Sequence, residues 1–373
     1  MSARFTERPP RRPPVPVCHQ AGYTLIELMV SMAIMVGVTG TIFTLVHPSQ
    51  AAFRVQPEIA DMHQRMRVAS DRLSTDLLMA GAGADQGTGK GALNDLFAPV
   101  VPYRAGLTDA DPERGVFFRP DAISLLYVPD TVAQTTVAHP IPSGSVNVRV
   151  NPIPGCPPHD ALCGFEEGQT VMIVDETGAK DLFTVIAVQA STLHLQHHGP
   201  QLSNAYGAGA SISEVEMHIY YRDTTADELR HYDGASSDLP LVDDVVGLRF
   251  RYFGDPNPPP APKPAIGVEN CLFDVDGHPR LATLPGGASL VELTEAMLTD
   301  GPFCGVPGGT LFDADLHRVR SIRVDLRVQV SADDLRGADP ALFVRPGQAI
   351  QGSRLVPDFG VSFEVSPRNM NLR

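Results

Sequence analysis

Glu27 is the only charged side chain among the 24 residues from Tyr23 to Val46. It sits in the run Gly22-Tyr23-Thr24-Leu25-Ile26-Glu27-Leu28, close to the start of that apolar stretch. About 20 apolar residues, rising 1.5 Å each, cross a bilayer core. A lone carboxylate on such a helix costs on the order of 2.5 kcal/mol or more at mid-membrane, so it calls for a partner. The chemistry expected here is charge pairing at a membrane edge, with Glu27 as the acidic member.

Other residues able to do chemistry are less organised. Asp274-Val275-Asp276-Gly277 opens like a calcium loop, yet Pro279 stands where that loop needs its central Gly and Pro285 where it needs its closing Glu. His197-His198 follows a strand and reads as an exposed loop pair without a metal. Gly87-Thr88-Gly89-Lys90-Gly91 lacks the first Gly and the final Ser or Thr of a phosphate loop, and reads as a flexible turn. There is no Gly-x-Ser-x-Gly elbow. The reading is of a protein without catalysis, metal or cofactor.

The order of features around Gly22 separates this segment from an ordinary secretory signal. Such a signal places its small-residue cleavage site after the apolar stretch, whereas Gly22 precedes it. A plain signal anchor accounts for the span but gives no reason for Glu27. Residues 22–28 instead resemble the class III signal of type IV pilins and pseudopilins. That resemblance implies a cut by a prepilin peptidase between Gly22 and Tyr23 and methylation of the new Tyr23 amine. It also implies pairing of Glu27, then the fifth residue, with the N-terminus of a neighbouring subunit. The leader, residues 1–22, carries Arg4, Arg8, Arg11 and Arg12 against Glu7. The positive-inside rule therefore keeps it cytoplasmic and leaves the rest of the chain outside.

Without those 22 residues the chain holds 25 basic and 42 acidic side chains, a formal charge of −17. Nucleic-acid binding draws most of its affinity from basic patches, so no nucleic-acid partner is expected. Cys18 leaves with the leader, and Cys156, Cys163, Cys271 and Cys304 remain. An even count in an exported domain points to two disulfides. Three pairings are open, and loop-closure entropy favours Cys156 with Cys163 and Cys271 with Cys304. Their spacings match no usual zinc pattern.

The elements that must carry these groups follow from periodicity. The apolar run spans 23–46 and a helical extension covers 47–84, with Pro48 and Pro57 expected to interrupt it. Ile59, Met62, Met66, Ala69, Leu73 and Leu77 recur at spacings of three and four and form one stripe from about Glu58 to Ala80. Asp61, Arg65, Arg72 and Asp76 fall off that stripe, and Gly81-Ala82-Gly83 ends the helix. Beyond it the period becomes two, as in Val246 to Tyr252 and Ile322 to Val330. Further strands are expected near Ala122–Val128, Thr170–Val174, Leu182–Val188, Ile212–Tyr221 and Val361–Val365. With 34 Pro and 33 Gly the connections are loop-rich. The expected fold is α+β, a long N-terminal transmembrane and amphipathic helix packed on an antiparallel sheet domain over 85–373. Pro256 to Pro264 form an extended spacer opening an insertion, 254–310, closed by Cys271 and Cys304.

Three segments narrow the resemblance: Gln64 to Gly83, Tyr220 to Phe253 ending PLVDDVVGLRFRYF, and Val365 to Met370. They are similar to the PilW-like minor pilins. That likeness implies a low-abundance subunit that primes assembly of a type IV pilus or sits at its tip. Its partners would be major and minor pilins, the prepilin peptidase and the inner-membrane assembly platform. It would stand in the inner membrane before assembly and in a filament afterwards. A J-type minor pseudopilin of type II secretion and a tip adhesin share the same features.

Overall fold

The computed structural model describes residues 22–83, 97–105, 118–129, 133–198, 202–287, 289–305, 311–350 and 354–371. The leader and the Gly87 to Gly91 turn lie outside them. The chain clusters into two units, Met1–Gln56 and Pro57–Arg373.

Helix α1 covers Leu25–Met79. Pro48 and Pro57 are helical within it, against the expected interruptions. A proline costs a helix interior roughly 3 kcal/mol through one lost donor and one displaced carbonyl, and the bonds of adjoining turns carry the helix past it. In the first unit, Leu25–Thr44 is long and apolar enough to cross a bilayer, and its side chains are exposed. Three of its hydroxyls are satisfied locally: Ser31 Oγ donates to Leu28 O at 2.9 Å, Thr41 Oγ1 to Val38 O and Thr44 Oγ1 to Thr41 O at 2.8 Å each. Such bonding suits a segment whose surroundings offer no partners.

In the second unit the predicted stripe is the buried one. Met62, Met66, Ala69, Leu73, Leu77 and Ala80 are all buried, while Ile59 is only partly covered. Burying a Leu or Met contributes about 1.5–3 kcal/mol, more than an exposed ion pair does. The helix ends at glycines in left-handed or related conformations, Gly81 at φ 71° and Gly83 at φ 115°. A Cβ at Gly83 would lie 2.3 Å from that of Val128. Here the chain is fastened to the sheet, with Gly81 N donating to Leu126 O and Val128 N to Ala82 O.

Three antiparallel sheets follow. The first orders β1 (Val100–Val101), β2 (Ala122–Tyr127), β9 (Glu216–Asp223), β10 (Glu228–Tyr232) and β11 (Asp238–Val242). The second orders β3 (Gln134–Thr136), β8 (Ser211–Glu214), β5 (Thr170–Val174), β6 (Lys180–Gln189), β7 (His194–His198) and β4 (Asn147–Arg149). The third orders β13 (Val291–Leu293), β12 (Val245–Gly254), β16 (Val319–Val328) and β17 (Phe359–Val365). A hairpin joins β14 (Phe303–Cys304) to β15 (Phe312–Asp313).

Strand β5 explains why its sequence is a continuous apolar run. Val171 and Ile173 enter one core with Phe183, Leu195 and Ile212, whereas Met172 and Val174 enter another with Leu126, Ile219 and Tyr221. Both faces are covered, so alternation disappears. The single strand expected over Ile212–Tyr221 is two, β8 and β9. Val215 lies between them and donates to Thr170 O at 2.9 Å as the chain changes sheets. The proline-rich run after β12 is held by buried Arg318, which donates to Pro256 O at 2.8 Å and Ala282 O at 2.6 Å and pairs with Asp315.

An ionic latch fixes the middle of the helix. Asp244, in the turn between β11 and β12, accepts from Arg65 at 2.7 Å, from Arg345 at 2.7 Å and from Ser331. Asp244 has φ 55°, a left-handed conformation that Asp and Asn tolerate. Burial raises its pKa, but the bonds from Ser331 and Arg345 and the charge of Arg65 win and hold it below the ordinary value. A depressed carboxylate pKa stabilises the fold above the unfolded value, about 4, and that contribution is lost as pH falls through the folded value. Asp244→Asn keeps the backbone preference and removes the charge. It is expected to cost about 2 kcal/mol at neutral pH, the worth of a charged hydrogen bond, and to flatten acid sensitivity below about pH 4. Denaturant midpoints of both proteins across that range provide the check.

Candidate processing and assembly site

Gly22 is exposed ahead of the helix, its φ lies outside the left-handed region, and a Cβ built on it meets nothing within 4 Å. Neither packing nor backbone conformation within this chain demands glycine there. A requirement for glycine at 22 would have to come from a molecule that reads it. Tyr23 is 86% exposed and precedes the first helical residue by two.

Thr24 and Glu27 bind each other reciprocally. The Thr24 N–H donates to Glu27 Oε2 at 2.9 Å, its hydroxyl donates to the same oxygen at 2.8 Å, and the Glu27 N–H donates to Thr24 Oγ1 at 3.4 Å. This is a capping box, in which the first residues of a helix satisfy amide groups that have no intrahelical acceptor. Glu27 also lies in the first turn, where the helix dipole favours negative charge. These contacts are dipolar. No cation from the described residues faces Glu27, so its formal charge in the apolar segment is left for something outside the described chain to balance.

The pattern Thr-x-x-Glu before an apolar run is visible in the sequence as a cap, and it gives Glu27 a local role that its isolation as a charge obscures. Cys156, Cys163, Cys271 and Cys304 form the two bridges favoured by loop entropy. Cys156–Cys163 has a Cα separation of 5.6 Å and Cys271–Cys304 one of 5.0 Å. Both lie in the second unit.

The discounted signals fall out differently. His197 belongs to β7, not to an exposed loop. It is buried, its Nε2 lies 2.9 Å from Ser145 O, and burial lowers its pKa. Asp274 spends its Oδ1 on the N–H groups of Asp276 and His278, as a turn does. Asp76, placed off the apolar stripe by spacing, is nevertheless buried, beside Tyr220 and His218. Its burial depends on strands more than 140 residues away and has no local signature.

Residues 18–40 match the model of the prokaryotic N-terminal methylation motif. No curated protein matches the chain. Together with a single apolar N-terminal helix, the motif supports a type IV pilin or pseudopilin, a structural protein anchored in a membrane and later assembled into a filament. It also supports processing by a prepilin peptidase and assembly with other pilins.

The capping geometry gives a direct test. Thr24→Val removes the Oγ1 acceptor and its hydroxyl donor and should weaken the first turn by about 1 kcal/mol. Exchange of the Glu27 amide in detergent-solubilised protein is then expected to accelerate about fivefold. An unchanged rate would show that the cap does not hold this turn.

Proposed function

We propose that this chain is a minor pilin of a type IV pilus, most like the PilW-like subunits. Hydrolysis of the Gly22–Tyr23 peptide bond leaves a Gly22 carboxylate and a Tyr23 amine, and methylation follows on that amine. The new N-terminal cation then stands one helical turn from Glu27. In a filament, Glu27 accepts the N-terminal amine of a neighbouring subunit while its Oε2 keeps its bonds to Thr24.

The observation that carries this reading is the exposed apolar span whose one charge meets only dipoles among the described residues. In hydrocarbon such a charge is costly, and cation pairing at the helix end is the economical way to offset it. Bonds from Thr24 orient the carboxylate without neutralising it. They therefore prepare Glu27 for a partner.

The globular unit, Pro57–Arg373, is large for a subunit repeated along a tightly packed shaft. We place the protein at low copy number, priming assembly or standing at the filament tip. The segment 254–310 is read as an insertion presented at the surface of that unit. Neighbours would be the major and minor pilins and the inner-membrane assembly platform, with the globular unit outside the cytoplasm.

Glu27→Leu tests the reading, because it preserves an apolar span and removes the charge. Membrane fractions should retain the variant at wild-type amounts. Its recovery in sheared filaments should fall at least tenfold, the effect of about 1.4 kcal/mol per subunit contact. Equal recovery of variant and wild type in filaments would contradict the assembly role.

A further inference from the structure

A second polar cluster lies in the globular unit, between the end of α1 and the first sheet. Asp76 comes from the helix, His218 from β9 and His231 from β10. The register places Tyr220 opposite His231, so His218, two residues earlier, lies on the same face one diagonal away. His218 Nδ1 is 2.9 Å from His231 Nε2 and 3.3 Å from Asp76 Oδ2. One ligand atom from each residue lies within 4.8 Å of the others.

We infer that Asp76, His218 and His231 form a binding site for a divalent transition-metal ion of the zinc class. Zinc bonds of about 2.0–2.2 Å in a tetrahedron set ligand atoms roughly 3.3 Å apart, close to the two separations observed. Two imidazoles and one carboxylate are also the donor set that suits zinc, leaving a fourth position for water.

The surrounding groups orient the donors as metal ligands are oriented. His218 Nε2 lies 2.9 Å from Tyr127 Oη and 3.5 Å from Glu216 Oε2. A proton on Nε2 facing those oxygens leaves the Nδ1 lone pair directed at the cluster, the arrangement by which an outer carboxylate fixes a ligating histidine. The Tyr220 hydroxyl donates to Asp76 Oδ2 and holds that carboxylate in place.

Arg72 is the competitor for the same atoms. Its Nε lies 3.1 Å from Asp76 Oδ2, and its Nη2 is 3.5 Å from His218 Nδ1. The Arg72 side chain is 44% exposed, whereas that of Asp76 is 6% exposed. Arg72 therefore has solvent to move into when an ion takes its place, and Asp76 does not. An ion here joins helix to sheet beside the buried apolar stripe, and so acts as a structural staple.

The test uses the full-length chain in detergent, stripped with a chelator and titrated with zinc by calorimetry. One ion per chain is expected, weakened at least tenfold by His231→Gln and unaffected by His278→Ala in the exposed Asp274, Asp276 and His278 group. X-ray absorption of the wild-type zinc complex should show two imidazole ligands, and this readout does not depend on a variant folding. No binding by the folded wild type, loss of binding with His278→Ala, or an all-oxygen coordination shell would each overturn the proposal.

Discussion

Burial of one helical stripe, Met62, Met66, Ala69, Leu73, Leu77 and Ala80, determines where the polar groups beside it must go. Once that stripe faces the sheets, residues at its margins are carried into places of reduced water access. Arg65 meets Asp244, and Asp76 meets Tyr220 and His218. Each pairing spans more than 140 residues of chain. The apolar contact supplies most of the free energy, and the polar contacts set its rotation and register, since an unpartnered buried charge costs several kcal/mol. The motif-bearing stretch Tyr220 to Phe253 thereby acquires a physical reason: it contains both the Asp244 latch and the His231 side of the polar cluster.

The first unit obeys a different rule. Along Leu25–Thr44 every side chain is exposed, and the hydroxyls of Ser31, Thr41 and Thr44 turn back to their own backbone. Such a segment is built for surroundings that provide no hydrogen bonds. Glu27 is the one departure, and Thr24 moderates it without removing its charge.

What the sequence made legible were features written in local spacing. The stripe from Met62 to Leu77, the strand over Thr170–Val174, the glycine stop at Gly81 and the two disulfides all emerged at the expected residues. Where geometry depended on distant partners, local reading fell short. Ile212–Tyr221 looks continuous because both of its halves are strands, yet Val215 bonds to Thr170 and sends them into separate sheets. Asp76 looks like a surface residue until His218 and Tyr220 are brought to it. The prolines at 48 and 57 carry a local penalty that predicts a break, whereas the helix continues through both. Thr24 is a different case, because its capping pattern with Glu27 is local and written in the sequence as Thr-x-x-Glu.

The account depends most directly on a cut between Gly22 and Tyr23. Intact mass and N-terminal sequencing of membrane-extracted protein, from cells with and without a prepilin peptidase, would test it. The predicted result is a chain beginning at methylated Tyr23 only when the peptidase is present. A chain still beginning at Met1 in both would make the segment a simple anchor and contradict the filament role.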